Sequence, residues 1–306
     1  MEKTKNQHYV PQMYIKRFGY GTERKPRISV LKKHEQEIMH EQNPYNFAAE
    51  RYFYDTTEVV IENVLKEDLE MFPFIKESKS FKDAQLTEHT LSRSEGEYRK
   101  LLDQIEKCPF SIYEDKYRVG FICFMHELAY RTRSFRDGMD NINYRTEKLL
   151  DEMCDNGGLS EEFKRKTIEK NCTPGKNTQL EQVLSVKPAL KTMEQVLMNY
   201  DWYIGYNNTE LDFIISDNPA QMVRQGFNDV CIPISKNLAI VMRVKEKGVP
   251  MLSCDESEGK IINMSTKGVI QYNAMQIAMA QLYLFGSKAA ISIMNDLFIH
   301  SKSLIC

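Results

Sequence analysis

The sequence predicts an α+β fold: a predominantly helical single domain with a small antiparallel sheet around residues 200–245. Three observations predict it. Apolar residues recur at three- and four-residue spacing through most of 56–199. At Trp202 that pattern gives way to short segments rich in β-formers. No stretch rich in Pro, Gly or Ser divides the 306 residues into two units.

Residues 1–20 read as a short helix or turn held by Pro11. Val10, Met13, Tyr14 and Phe18 fall at helical spacing, so the segment is expected to dock on the body of the protein. Arg27-Ile28-Ser29-Val30-Leu31 can form a strand followed by a turn. Thr56 or Thr57 is an N-cap for a helix carrying Val59, Val60, Val64 and Leu65, and Pro73 is expected to bend or end it. Residues 86–107 carry the stripe Leu91, Tyr98, Leu101, Leu102 and Ile105. Residues 114–152 are expected to be helical throughout, on Phe121, Phe124, Met125, Leu128, Phe135 and Met139, with Gly157-Gly158 as the stop. Helices at 160–170 and 178–199 are separated by Pro174-Gly175.

The β element comprises Trp202–Tyr206, Leu211–Ile215, Val230–Ile232 and Leu238–Met242. Asn207-Asn208-Thr209-Glu210 reads as a hairpin turn between the first two. Helices over 266–285 and 288–297 complete the chain, with Gly286 as the C′ residue between them.

With 42% hydrophobic and 27% charged residues, disorder is not expected. Lys and Arg total 41 against 43 Asp and Glu, a net charge of -2. A dedicated nucleic-acid coat is more basic, although net charge leaves room for a local basic groove. The seven cysteines (Cys108, Cys123, Cys154, Cys172, Cys231, Cys254 and Cys306) form no CxxC pair, which argues against zinc-ribbon and thioredoxin chemistry and fits a reducing compartment. Met1–Gln7 holds no apolar signal region, and no apolar run nears the ~20 residues of a membrane helix. A cytoplasmic protein without membrane contact is expected.

Several polar residues need an explanation. His8, carried inward with Gln12, is either a general acid/base or a hydrogen-bonded packing residue. Glu62 shares a helix face with Lys66 and Glu70; it is a metal ligand, a general base or part of a solvated stripe. Arg131, at the edge of an apolar stripe, is an anion fork or an interior ion pair with Glu127. Asp217, in Ser216-Asp217-Asn218-Pro219, sits where a strand breaks into a loop, as functional carboxylates and simple Asx turns both do. Asn273, Gln276 and Gln281 lie among apolar residues and need partners. No phosphate-binding glycine loop, HExxH or GxSxG occurs.

The opening His8-Tyr9-Val10-Pro11-Gln12-x-Tyr14-Ile15-x-x-Phe18, the Ile61-Glu62 stretch, Arg131-Thr132, Phe213–Pro219 with Trp202 upstream, Pro233-Ile234-Ser235, and Asn273 with Ala280 and Tyr283 together resemble the family of domain of unknown function 4238. Arg133 stands where that family often has Pro. The resemblance implies a bacterial intracellular protein and brings no activity with it. It raises the weight of His8, Arg131, Asp217 and Asn273.

The favoured expectation is a hydrolase or phosphodiesterase of the nuclease type, with nucleic acid as substrate and phage defence as one setting. His8 would be the acid or base. Glu62 and Asp217 would hold a divalent metal such as Mg or Mn, or orient water. Arg131 would stabilise charge. Gln12, Asn218 and Asn273 would bind the ligand. The rival expectation is a sensor or binding protein for a small anion or a protein partner. A third is a purely structural role in which His8 and Asp217 pair.

Overall fold

The computed structural model describes residues 4–71, 83–220, 229–245, 254–258 and 260–303. Pro73 therefore lies outside the described residues. The N-terminal segment runs β1 (Asn6–His8), α1 (Gln12–Ile15), β2 (Tyr20–Thr22), β3 (Lys25–Lys32), β4 (Glu37–Gln42) and β5 (Ala49–Arg51). The helical body follows: α2 (Glu58–Val64), α3 (Lys66–Met71), α4 (Leu86–Lys107), α5 (Asp115–Tyr130), α6 (Arg133–Asp155), α7 (Glu161–Asn171), α8 (Gly175–Leu184) and α9 (Val186–Asn199). Then come β6 (Tyr200–Tyr206), β7 (Ile215–Ser216), β8 (Asp229–Pro233), β9 (Leu238–Val244), β10 (Cys254–Glu258), β11 (Ile261–Met264), α10 (Thr266–Met279), β12 (Tyr283–Gly286) and α11 (Lys288–Ser303).

The fold is mixed α+β, mostly helical, with small sheets that are almost entirely antiparallel. The sheet expected at 200–245 is present and larger, in the order β10-β11-β6-β9-β8, with β11 and β6 parallel. A second sheet has the order β2-β3-β12-β7, with β4 also on β3, and a two-stranded ribbon joins β1 to β5. The strand expected at Arg27–Leu31 thus becomes the spine of the second sheet.

Helix α5 is the hub of the core. Phe121, Ile122, Phe124, Met125, Leu128 and Ala129 are all buried. Phe124 meets Tyr14 of α1 at a ring separation of 5.3 Å, and Phe121 meets Trp202 of β6 at 6.0 Å. Burial of each such ring contributes roughly 1.5–3 kcal/mol. One cluster of buried side chains extends from Tyr9 to Met294. It takes in Val10, Met13, Tyr14 and Phe18, so the N-terminal segment is part of the core.

Four expectations are corrected. The helix over 114–152 is two helices: Thr132 leaves the helical region at ψ 154 and caps α6, its hydroxyl accepting from the Phe135 N–H. The helix over 178–199 is likewise interrupted, at Ser185. The helix over 266–285 ends at Met279, and Tyr283–Gly286 is a strand. Gly286 is therefore no helix cap; a Cβ there would lie 2.7 Å from Ile214 Cγ2. Finally, Asn207–Glu210 joins no hairpin. β6 pairs with β9, and β7 pairs with β12 in the other sheet. Asn207 instead turns the chain by itself, accepting from the Thr209 N–H and donating to the carbonyls of Leu211 and Lys236.

Candidate functional site

His8 ends β1, opposite Ala49 of β5. The preceding Gln7 is fully buried, donating to Asp55 at 2.6 Å and accepting from the Tyr54 N–H at 2.6 Å. With Gln7 fixed inward, strand alternation sends His8 the other way. Its ring is half-buried, with Nε2 3.1 Å from the Tyr45 carbonyl. A carbonyl only accepts, so in the neutral ring Nε2 carries the hydrogen and Nδ1 the lone pair. Burial lowers the His8 pKa below 6.5; the Tyr45 hydrogen bond and Glu95 oppose this, while Arg131 and Lys16 add to it. Burial thus favours the neutral form of the imidazole.

Arg131 holds the backbone beneath it. The residue is 1% exposed and caps the C-terminus of α5. Nη2 donates to the His8 carbonyl at 2.6 Å and to Glu95 at 2.8 Å; Nη1 donates to Glu127 at 3.0 Å. Glu127 also accepts from Ser94 at 2.8 Å and Tyr98 at 3.3 Å, and the Arg131 carbonyl accepts from Tyr54 at 2.8 Å. Burial works against the guanidinium charge, and the carboxylates of Glu95 and Glu127 outweigh it. Both Nη groups are thus spent on the protein. Nε is buried without a partner among the described residues. The interior ion pair expected with Glu127 is present and has gained Glu95 as a second member.

Asp217, Asn218 and Asn273 belong to a second polar group. The Asp217 oxygens accept from the main-chain N–H of Gln281 and of Leu282, each at 2.8 Å. Its own N–H donates to the Tyr283 carbonyl at 2.9 Å. Burial raises the Asp217 pKa, and these N–H donors pull it back. Asn273 accepts from the Ile214 N–H and donates to the Asp212 carbonyl, both at 3.0 Å. Gln276 accepts from the Ser216 N–H at 2.9 Å and donates to the Pro219 carbonyl at 3.1 Å. Three residues apart on one face of α10, these amides supply what a neighbouring strand would give the chain at 212–219. Asn218 donates to Ser134 and to the Met279 carbonyl, and accepts from Thr132 at 3.4 Å. That last bond ties this group to the residue after Arg131.

The sequence candidates therefore separate. The His8 backbone meets Arg131, and Asn218 meets Thr132 beside it. Among the described residues no hydrogen bond or ion pair joins the His8 ring to Asp217. Tyr9 is the residue of this segment whose electrostatics include Asp217. Gln12 is buried and donates to the Pro44 carbonyl at 2.9 Å, its Oε1 unpartnered among the described residues. Glu62 lies half-buried on α2, in neither group. Among the described residues, no three His, Cys, Asp or Glu side chains converge where a metal could sit. Glu95, Tyr45 and Tyr54 were not legible as partners: each acts through a contact more than thirty residues away in sequence.

Fold and site define a mixed α+β protein whose N-terminal histidine is carried on a backbone pinned by a buried arginine. The model of the family described as "Protein of unknown function (DUF4238)" matches residues 6–290, and the chain belongs to that family. No curated protein and no solved structure matches it. Among the described residues no helix is long and apolar enough to cross a membrane.

Proposed function

We propose that this chain is a hydrolase of the phosphodiesterase type, acting on nucleic acid, with His8 as its general base. The observation that carries the reading is the state of the imidazole. Burial favours its neutral form, the Tyr45 carbonyl occupies Nε2, and Nδ1 is left with its lone pair. In the reaction, water gives a proton to Nδ1 and its oxygen bonds to phosphorus. The phosphorus–oxygen bond to the leaving group breaks, and the leaving oxygen takes a proton from solvent. Glu95, whose charge favours protonated His8, supports the imidazolium so formed. Arg131 positions the strand and does not touch the substrate. A toxic effector in phage defence is a setting consistent with this reading.

The second reading is a protein without turnover at this site. What favours it is that Arg131, Asp217 and Asn273 all spend their polar groups on the protein itself, which suits a role in securing the fold.

The test is induced expression of wild type and His8→Ala at matched soluble levels, with total RNA and DNA run on gels. Purified protein is assayed in parallel with and without a chelator. Degraded nucleic acid in wild type alone supports the phosphodiesterase. Intact nucleic acid in both hands the protein to the second reading. Activity lost on chelation brings a divalent metal into the step.

A further inference from the structure

An open cleft of about 650 Å³ begins where the His8 site ends. Its walls are α1 with the turn after it, the β2–β3 hairpin, Tyr45 and the face of α4 that carries Arg99 and Asp103. Tyr45 links the two places: its carbonyl faces His8 Nε2, and its ring lines the cleft. Glu95, the partner of Arg131, lies one helical turn from Arg99 along α4, and Arg99 one turn from Asp103.

The lining is cationic in a chain whose net charge is negative. Lys16, Arg17, Arg24 and Arg99 face it, against Glu23 and Asp103. The Arg17 charge is already met by Asp103 and Glu106. The side chains of Arg24 and Arg99 are exposed and, among the described residues, make no ion pair or hydrogen bond. Two uncommitted guanidiniums in one concavity suit successive phosphates.

Two aromatic rings share the cleft, and both are held. The Lys16 ammonium lies 4.2 Å from the Tyr45 ring centroid and bonds its hydroxyl at 2.7 Å, leaving the residue 48% exposed. The Tyr20 hydroxyl is fixed by the Glu41 N–H at 2.9 Å. Rings offer nothing to a duplex, whose bases are stacked on each other. To unpaired bases each ring offers a stacking surface.

We propose that this cleft binds single-stranded nucleic acid, with Arg24 and Arg99 on the phosphates and Tyr45 under a base. This deepens the phosphodiesterase reading and rests on it for the role of His8, though not for binding. The strand would enter along α4 and reach His8 past Tyr45.

The experiment is fluorescence anisotropy with a labelled single strand of about 12 nucleotides, a length one such groove can cover, and with the matching duplex. His8→Ala serves as the parent so that nothing is cut. The single strand is expected to bind at low salt, more tightly than the duplex. Arg24→Ala with Arg99→Ala should weaken binding about tenfold and reduce the salt slope by about 1.4, the value for two phosphate contacts on a single strand. Tyr45→Leu should cost about another tenfold. Unchanged thermal melts of these exposed-site variants exclude misfolding. No anisotropy change, indifference to the paired arginine change, or equal affinity for the duplex overturns the proposal. Binding that follows the variants, together with a wild type that cuts nothing, upholds the cleft and sinks the phosphodiesterase.

Discussion

The Arg131 guanidinium donates to the main-chain carbonyl of His8 at 2.6 Å, across 123 residues of sequence. The side chain that aims the histidine therefore does so through the backbone and is itself held by two carboxylates. Removing one member of a buried ion group leaves the others uncompensated, at about 3–5 kcal/mol. Arg131→Met should lower the thermal midpoint by many degrees, and Arg131→Met with Glu127→Gln and Glu95→Gln should recover part of the loss. Calorimetric scans of both settle this. Equal midpoints for Arg131→Met and wild type would remove the anchor from the account.

Asp217 gives a more local prediction. In Asp217→Asn one oxygen becomes an NH2 that confronts a main-chain N–H, so one of two charged acceptor bonds is lost at about 2–3 kcal/mol. Urea denaturation should show the lowered midpoint. Hydrogen exchange should show the loss of protection at Gln281 and Leu282. Protection unchanged at those two amides is the result that would count against Asp217 as the closure of the α10–β12 turn.

Two histidines set a pH dependence of stability. Burial lowers the pKa of His8 and of His126, whose ring nitrogens meet Thr192 at 2.8 Å and the Gln182 carbonyl at 2.7 Å. The unfolded chain takes up protons first, near 6.5, so folding weakens as pH falls through that value and levels off once the folded imidazoles also protonate. Glu88 and Asp217, whose pKa values burial raises, work in the opposite direction below neutrality. The comparison is therefore differential. Between about pH 7.5 and about pH 5.5, wild type should lose more stability than His8→Asn with His126→Gln. Parallel curves would refute it.

Gly286 tests the strand that replaced the end of a helix. A methyl there meets Ile214 Cγ2 at 2.7 Å and Ile291 Cγ1 at 3.3 Å, both in the buried core. Overpacking of this kind costs about 1–3 kcal/mol. A Gly286→Ala protein as stable as wild type in urea would mean that Ile214 yields freely.

The helices were legible where one face alone is apolar, as in α4, because a 3.6-residue period has no other cause there. The division between α5 and α6 was hidden because Phe121 to Met139 keeps its spacing across the break. Only Thr132, a capping residue type, marked it. β12 was hidden for the related reason that Tyr283-Leu284-Phe285 continues the apolar run of α10. The two sheets draw alternately on one stretch of sequence, so neighbouring strands there are not partners, and no local signal reports that. Among site residues, His8 stood out by type and setting. Asp217 and Asn273 stood out equally, although each secures backbone, because a buried polar side chain looks the same in sequence whether it meets a ligand or a carbonyl.

The pairing of β3 with β12 joins residues 29–32 to residues 283–286. On a ribosome, His8 and Arg131 are delivered long before Tyr283. Until β12 arrives, β3 has one bare edge and Asp217 has no donors at 281 and 282. A nascent chain can thus carry His8 and the arginine that positions it while its second sheet stands open, until Tyr283–Gly286 is made.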